Sequence, residues 1–212
     1  MVPFNIKNKV SFTNRLQNGG FNMAKKIPDI LSLDEQERLL DQFNLRYITP
    51  QRNQTMIQLL LNTGLRLAEL TNLKWNDIDL MIGQLKVVEG KGLKDRILWL
   101  NEETLSMLGK WKQRQFKEWG RSDLVFTTRT LHSLDGKAVR SMIKTYSDKA
   151  GIKKHITTHS LRHTFASDLL RETKNLRIVQ KALGHADISS TQIYTHIVDE
   201  ELEEALKGFR GR

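Results

Sequence analysis

The sequence contains no cysteine, and this absence excludes disulfide bonds and cysteine-ligated metal sites. It also lacks any apolar run near the roughly 18 residues that suggest a membrane-spanning helix. Its first residues carry no apolar core of the kind found in secretory signals. We therefore expect a globular protein with a cytoplasmic location.

The sequence also has fewer acidic than basic residues. It contains 34 lysines and arginines but only 24 aspartates and glutamates, so its formal net charge is +10. The basic residues are spread along the chain, which suits a surface that wraps a duplex and displaces its counterions. A basic protein with no polyanionic partner is the alternative reading of the charge alone. The acidic cluster at 199–204 is expected to face away from DNA.

The chain of 212 residues has room for one domain and a tail. Its first 22 residues are polar and contain five asparagines and the pair Gly19-Gly20, which predicts a flexible arm. An alternative is that Met23 is the native start and that the preceding residues are upstream sequence read in frame.

Capping signals and apolar periodicity predict a mainly helical chain with three short strands. A capping box at Ser32 and Glu35 opens the first helix, and Gly64 and Gly184 each end one. The predicted helices cover about 33–43, 49–64, 67–73, 102–119, 136–150, 161–171, a segment ending at 183, a short segment around 194 and an amphipathic tail at 198–209. The predicted strands cover 78–80, 84–89 and 96–100, with a further extended piece at 124–127.

The stretch 157–194 contains His159, Arg162, His185 and Tyr194. Ser160 is the predicted N-cap of the helix that carries Arg162. Folding the three short helices of this stretch together is expected to place His159, Arg162, His185 and Tyr194 around one pocket. A phenol beside cationic groups can act as a nucleophile on a phosphate.

Two further motifs lie upstream. In TGLRLAEL, residues 63–70, Gly64 lets the chain turn sharply so that Arg66 lies at a helix start. In GKGLKDR, residues 90–96, Lys91 lies in a turn between two predicted strands. Taken singly, Arg66 is equally compatible with a surface salt bridge, and the lysine-rich turn with a solvated basic loop.

Taken in order, TGLRLAEL, GKGLKDR, HSLR, LGH and a tyrosine nine residues later resemble the signature of the tyrosine recombinases, the lambda-integrase-like family. The resemblance implies an α+β, mainly α-helical catalytic-domain fold with a small three-stranded antiparallel sheet. It divides the chain into a flexible arm at 1–26, the catalytic domain at 27–197 and a C-terminal amphipathic tail helix at 198–212. The separate core-binding domain that usually precedes the catalytic one has no counterpart, so a fragment, a short recombinase and an inactive relic remain alternatives.

The resemblance also implies a role for each motif residue. Tyr194 is the nucleophile, and His185 donates a hydrogen bond to a non-bridging oxygen. Glu69 orients the site, while the histidines at 163 and 196 are read as structural. The remaining roles are phosphate clamping by Arg66 and Arg162, proton donation to the leaving oxygen by Lys91, assistance to proton transfer by His159, and phosphate contacts by Lys94 and Arg96.

The implied reaction is a pair of transesterifications through a 3′-phosphotyrosyl link, with no ATP, cofactor or metal. Arginine matches the charge that phosphoryl transfer spreads over the equatorial oxygens. A zinc site at His155, His159 and His163 is the alternative for these residues. It is disfavoured because no carboxylate or cysteine completes the set and Arg162 would oppose the charge of the metal.

The implied partner is double-stranded DNA, on which the chain would self-associate as a tetramer, with its tail docked on a neighbouring subunit or on its own domain. Two other functions compete with site-specific recombination or integration. One is relaxation of DNA by a type IB topoisomerase, and the other is DNA binding without catalysis. The DNA target is not legible in the sequence, because base readout depends on side-chain placement in the grooves.

Overall fold

The computed structural model describes residues 29–88 and 95–184 of the chain. Helices predominate in this part, and three short strands form one sheet, as predicted. No helix among the described residues is both long and apolar enough to cross a bilayer. The elements are α1 (Leu33–Leu40), α2 (Ile48–Thr63), α3 (Leu67–Thr71), β1 (Ile78–Asp79), β2 (Gln84–Val87), β3 (Arg96–Trp99), α4 (Glu102–Trp119), α5 (Gly136–Lys149), α6 (Thr158–Thr173) and α7 (Leu176–Leu183).

Helix α2 forms the centre of the fold and packs against both α4 and α6. Its apolar residues are buried all round, as the sequence predicts for a helix with consecutive leucines. They join the main core with Leu108 and Trp111 of α4 and Leu161 of α6. A smaller apolar cluster between α6 and α7 contains Ala166, Leu170, Val179 and Leu183.

The sheet has the order β1-β2-β3 and is antiparallel throughout. Leu85 of β2 lies opposite Leu98 of β3, and both are buried on the inner face. Because side chains alternate along a strand, Arg96 shares this inner face with Leu98, while Ile97 is exposed. The sheet therefore points one arginine toward the protein interior.

The first residues of the helices follow from capping side chains in the sequence. For α2 and α6 the observed start differs from the predicted start. The capping box of Ser32 and Glu35 is confirmed at the start of α1. Helix α2 begins at Ile48, so Pro50 occupies its third position and not its first. Helix α6 begins at Thr158, since the Thr157 side chain accepts a hydrogen bond from the Ser160 backbone N–H. Ser160 is therefore inside the helix and is not its N-cap.

Several predictions fall outside the described residues. These are the arm at 1–26, the turn that carries Lys91 and Lys94, the LGH histidine His185, the segment around Tyr194 and the tail at 198–212. They remain predictions from the sequence.

Candidate active site

Gly64 forms the turn that connects α2 to the first arginine of the site. Its φ of +61° is the left-handed conformation that favours glycine. An added Cβ would lie 2.4 Å from Cδ1 of Phe165 on α6. Glycine is therefore required both for the turn and for the close approach of α6, and Arg66 follows at the start of α3.

Arg66 is held from one side by the acidic residue of its own motif. Its Nη1 lies 2.7 Å from Oε1 of Glu69, and its backbone N–H donates to Oε2 at 2.7 Å. The Arg66 side chain is 35% exposed, whereas that of Glu69 is only 10% exposed. Glu69 thus orients the guanidinium from the protein side while Arg66 reaches the surface.

Arg162 lies one turn into α6 and is 6% exposed. Its Nη1 donates to the Gly64 carbonyl oxygen at 2.5 Å, and its Nη2 donates to the Leu183 carbonyl oxygen at 2.6 Å. The first bond places this guanidinium against the turn that precedes Arg66. The second ties it to the last residue of α7. The structure therefore brings the two predicted phosphate-clamping arginines to one region.

His159 lies on the first turn of α6 and is exposed. It precedes Arg162 by three residues, so the two side chains lie on neighbouring positions of one helical face. His163 on the next position is half-buried. Burial, together with the charges of His159 and Arg162, lowers the pKa of His163 to about 4. His163 is therefore neutral near pH 7, in agreement with a packing role.

Arg96 makes different contacts from the phosphate contact predicted for it. Its side chain is 6% exposed, and its Nη1 and Nη2 donate to the two carboxylate oxygens of Glu69 at 3.1 and 2.8 Å. Its Nε donates to the carbonyl oxygen of Ala182 at 3.0 Å. A guanidinium in this position binds protein groups in the interior, because the inner face of β3 turns it away from solvent.

The two arginines determine the protonation of the carboxylate between them. Burial by itself would raise the pKa of Glu69, but hydrogen bonds from Arg96 and from the Arg66 backbone, with the charge of Arg96, lower it to about 2. Glu69 is accordingly ionised under all physiological conditions and acts as an acceptor, not as a proton donor.

A groove of about 520 Å³ lies beside Arg66, between α3 and β2. Its wall includes the cationic side chains of Arg66, Lys74 and Lys86 and the acidic side chains of Glu69 and Asp77. The groove therefore adjoins the predicted phosphate-clamping arginine of α3.

The three histidines of the alternative zinc site, His155, His159 and His163, are all among the described residues. Across 29–88 and 95–184, no group of three or more His, Cys, Asp or Glu side chains is placed to hold a metal ion. His155 precedes the start of α6, so the spacing of His155, His159 and His163 does not lie along one helix.

Three of the predicted catalytic residues are described: Arg66, Arg162 and His159. Arg162 is bonded to Gly64, two residues before Arg66, and His159 lies three residues before Arg162 on α6. Two guanidinium groups and an imidazole can together bind a phosphodiester and stabilise the charge of its transition state. The helix α7 ends at Leu183 with Gly184 as its left-handed cap, as predicted, and His185 is two residues after Leu183, whose carbonyl Arg162 binds. The buried link through Arg96 was missed, because both alternating sets of side chains in 96–100 are apolar apart from Arg96 and do not show which set faces inward.

A family model and curated proteins match the chain over most of its length. The family model described as the phage integrase family matches residues 29–201. The tyrosine recombinase XerD of Oceanobacillus iheyensis is 38% identical over 192 residues, covering 89% of this chain and 64% of that protein. XerD of Listeria monocytogenes is 38% identical over 195 residues, covering 89% and 65%. The chain thus spans slightly less than two thirds of the length of these relatives.

Solved structures give the same result. A crystal structure of XerA recombinase has a TM-score of 0.76 and 36% identity, covering 89% of this chain and 66% of that one. XerH recombinase bound to palindromic difH substrate has a TM-score of 0.73 and 29% identity, covering 87% and 54%. A lambda integrase dimer bound to a COC′ core site, at 20% identity and a TM-score of 0.63 over 81% and 60%, shares the fold. From the family model, the relatives and the fold together, the chain belongs to the phage integrase family.

Proposed function

We propose that this chain is the catalytic part of a site-specific DNA recombinase or integrase that cuts and rejoins strands through Tyr194. The observation that carries the proposal is the hydrogen bond from Arg162 to the Gly64 carbonyl, because Gly64 lies two residues before Arg66 in the chain. Arginine forks suit the non-bridging oxygens of a phosphodiester. Family membership and the XerD relatives favour recombination over topoisomerase activity.

The proposed chemistry conserves the number of phosphoester bonds. The Tyr194 oxygen forms a bond to phosphorus as its proton passes to His159, the bond to the 5′ oxygen breaks, and Lys91 donates the proton that the leaving oxygen needs. In the second step the 5′ hydroxyl of another strand attacks phosphorus and tyrosine leaves with a proton. Arg66, Arg162 and His185 stabilise the charge on the non-bridging oxygens in both steps. The balance requires neither ATP nor a redox partner.

The proposed substrate is double-stranded DNA, held by the basic surface of the chain and by phosphate contacts of Lys94. The excess of ten positive charges favours such a partner. XerH is described bound to its difH substrate, and lambda integrase as a tetramer on a Holliday junction. We extend both features to this chain and propose that it assembles as a tetramer on DNA. In this assembly the tail at 198–212 docks on a neighbouring subunit. The proposed location is the cytoplasm, with association with the nucleoid when the chain is bound to DNA.

The experiment is capture of a covalent adduct on a nicked duplex, from which the cleaved 5′ end diffuses away so that religation fails. EDTA is present throughout. The unsubstituted chain is expected to form an adduct stable to denaturation, and Tyr194→Phe to bind DNA without forming one. Tyr47→Phe is the matched control, since Tyr47 is an exposed tyrosine at the start of α2 and should leave the adduct unchanged.

Other outcomes separate the remaining alternatives. Relaxation of supercoiled DNA without strand exchange would favour a topoisomerase. Binding of DNA with no adduct from the unsubstituted chain would indicate a non-catalytic DNA-binding protein. Loss of the adduct on addition of EDTA would contradict the metal-independent chemistry proposed here.

A further inference from the structure

Arg96 follows the lysine-rich segment 90–94 in the sequence, but its side chain lies on the inner face of the sheet. It is the first residue of β3, follows the segment of Lys91 and Lys94, and lies opposite Val87 in the sheet. Its side chain is 6% exposed. A side chain so buried cannot be a surface contact for DNA, so its role has to be found in its protein partners.

The first partner is Glu69, whose carboxylate is shared by two arginines. Oε1 accepts from Nη1 of Arg66 and from Nη1 of Arg96, and Oε2 accepts from the Arg66 backbone N–H and from Nη2 of Arg96. These four bonds match the four lone-pair positions of a carboxylate. The bidentate bond from Arg96 therefore fixes the plane of the carboxylate, and the carboxylate in turn fixes one edge of the Arg66 guanidinium.

The shared carboxylate also sets the charge that faces the substrate. If Arg66 and Glu69 stood alone, the pair would carry no net charge, and its field at a bound phosphate would be weak. With Arg96 included, the three groups carry a net charge of +1. Because Arg96 lies in the interior and Arg66 is 35% exposed, the uncompensated charge lies on the side of Arg66. A positive charge in a partly buried site acts strongly on a phosphate, since water screens it less.

The second partner is the end of α7. Nε of Arg96 donates to the Ala182 carbonyl oxygen, and Arg162 donates to the next carbonyl, that of Leu183. Two guanidinium groups thus hold consecutive carbonyls at the helix C-terminus, where cations are favoured. Arg96 consequently ties three segments together: β3 after the turn of Lys91, α3 with Arg66, and α7 directly before His185.

We propose that Arg96 is a positioning residue for DNA cleavage: it binds Glu69 so that this carboxylate orients Arg66 without cancelling its positive charge toward the scissile phosphate. The proposal rests on the cleavage activity proposed above. In this proposal Arg96 does not contact DNA. The rate of cleavage depends on the net charge of Arg66, Glu69 and Arg96 and not only on their geometry.

The test compares the unsubstituted chain with Arg96→Gln, Glu69→Gln and the double variant in single-turnover cleavage of the nicked duplex, with the chain in excess. Arg96→Gln is expected to slow cleavage by about 100-fold, as for other small displacements of a catalytic group. Its affinity for DNA should stay within about threefold of the unsubstituted value, because a buried guanidinium makes no phosphate contact. The double variant should cleave faster than Arg96→Gln, since it removes the carboxylate that would otherwise cancel the charge of Arg66.

A second substrate distinguishes a charge effect from a merely structural one. A methylphosphonate at the scissile position replaces one non-bridging oxygen by a methyl group and makes the phosphate neutral. If Arg96 acts through the charge of Arg66, the loss caused by Arg96→Gln should shrink at least about tenfold on this substrate. Arg96→Lys, which keeps the charge and loses the fork, should fall between the unsubstituted chain and Arg96→Gln on the ordinary substrate.

The matched control is Arg52→Gln. Arg52 is also a poorly exposed arginine that donates to a backbone carbonyl, that of Thr127, but it lies away from Arg66 and Glu69. Circular dichroism and thermal unfolding establish that each variant is folded at the assay temperature. Arg52→Gln should lower the melting temperature and change cleavage of the two substrates by the same factor.

Three results would overturn the proposal: cleavage by Arg96→Gln at the unsubstituted rate, equal losses on both substrates, or a double variant no faster than Arg96→Gln. Each of these leaves the proposed function intact, because the unsubstituted chain still cleaves. Failure of the unsubstituted chain to form an adduct would instead reject the proposed function, and the positioning role with it.

Discussion

At the scale of single residues, Arg162 is notable for being a buried cation whose two short hydrogen bonds go to neutral carbonyls. Gly64 caps the C-terminus of α2, and Leu183 is the last residue of α7, so both acceptors lie at helix C-termini. Each such end carries a partial negative charge of about half a unit. These two acceptors therefore orient the guanidinium from the ends of two helices and stabilise its positive charge.

His163 gives the fold a dependence on pH. Its pKa is about 4 in the folded chain, below the ordinary value of 6.5, because the ring is buried and near His159 and Arg162. In the unfolded chain it takes up a proton as the pH falls through 6.5. Its contribution to stability is therefore complete above pH 6.5 and is lost as the pH falls toward 4.

The expected loss in the free energy of unfolding is on the order of 2 kcal/mol, after allowance for the partial exposure of the ring. Denaturant titrations at pH 7.5, 6 and 5 measure it. His163→Gln should reduce the loss over this range, and His132→Gln, at an exposed loop residue, should keep it. An unchanged pH dependence in His163→Gln would assign the effect to another group.

The motifs identified Arg66 and Arg162 as residues of one site, and in the structure Arg162 binds the carbonyl of Gly64, two residues before Arg66. The direction of the Arg96 side chain was not predicted. From the motif resemblance, Arg96 was assigned a phosphate contact. In the segment 96–100 both alternating sets are apolar apart from Arg96, so periodicity did not say which set faces inward. Only the pairing of Val87 with Arg96 and Leu85 with Leu98 determines that.

At the scale of elements, helix starts were set by competition between neighbouring polar side chains. Thr157 and Ser160 can each cap a helix, and the sequence favoured Ser160. In the structure Thr157 caps α6, while the Ser160 hydroxyl bonds back to the Thr157 backbone N–H. The helix therefore starts three residues earlier than predicted, and this places His159 on its first turn, on the face that carries Arg162.

The close approach of α2 and α6 leads to a prediction for Gly64→Ala. The added Cβ would meet the Phe165 ring at 2.4 Å in a left-handed backbone. We expect a loss of about 2 to 4 kcal/mol in the free energy of unfolding, from strain of the turn and displacement of the ring. The same shift would move the carbonyl that binds Arg162 and should reduce cleavage.

Gly109→Ala is the matched control, since Gly109 lies inside α4 with no atom within 4 Å of an added Cβ. That substitution should stabilise the chain by about 0.5 to 1 kcal/mol, because alanine favours a helix interior. Denaturant unfolding of both variants provides the measurement. A Gly64→Ala variant as stable as the unsubstituted chain would show that the turn does not depend on glycine.

At the scale of the whole molecule, the fold class followed from the sequence because capping boxes, helix-ending glycines and apolar periodicity agreed along the chain. The convergence of the site did not follow from local patterns, since Arg162 meets the Gly64 carbonyl across 98 residues of sequence. That contact depends on how α2, α6 and α7 pack, which only the tertiary structure contains. Motif resemblance anticipated the convergence without giving its contacts.

The most direct measurement for the central claim is identification of the amino acid and the DNA end that join in the trapped adduct. Digestion of the adduct with protease and nuclease, followed by mass spectrometry, locates the nucleotide-bearing peptide. The account predicts a 3′ phosphate on the peptide that contains Tyr194. Attachment to Tyr47, Tyr146 or a serine, or a link to a 5′ phosphate, would contradict it.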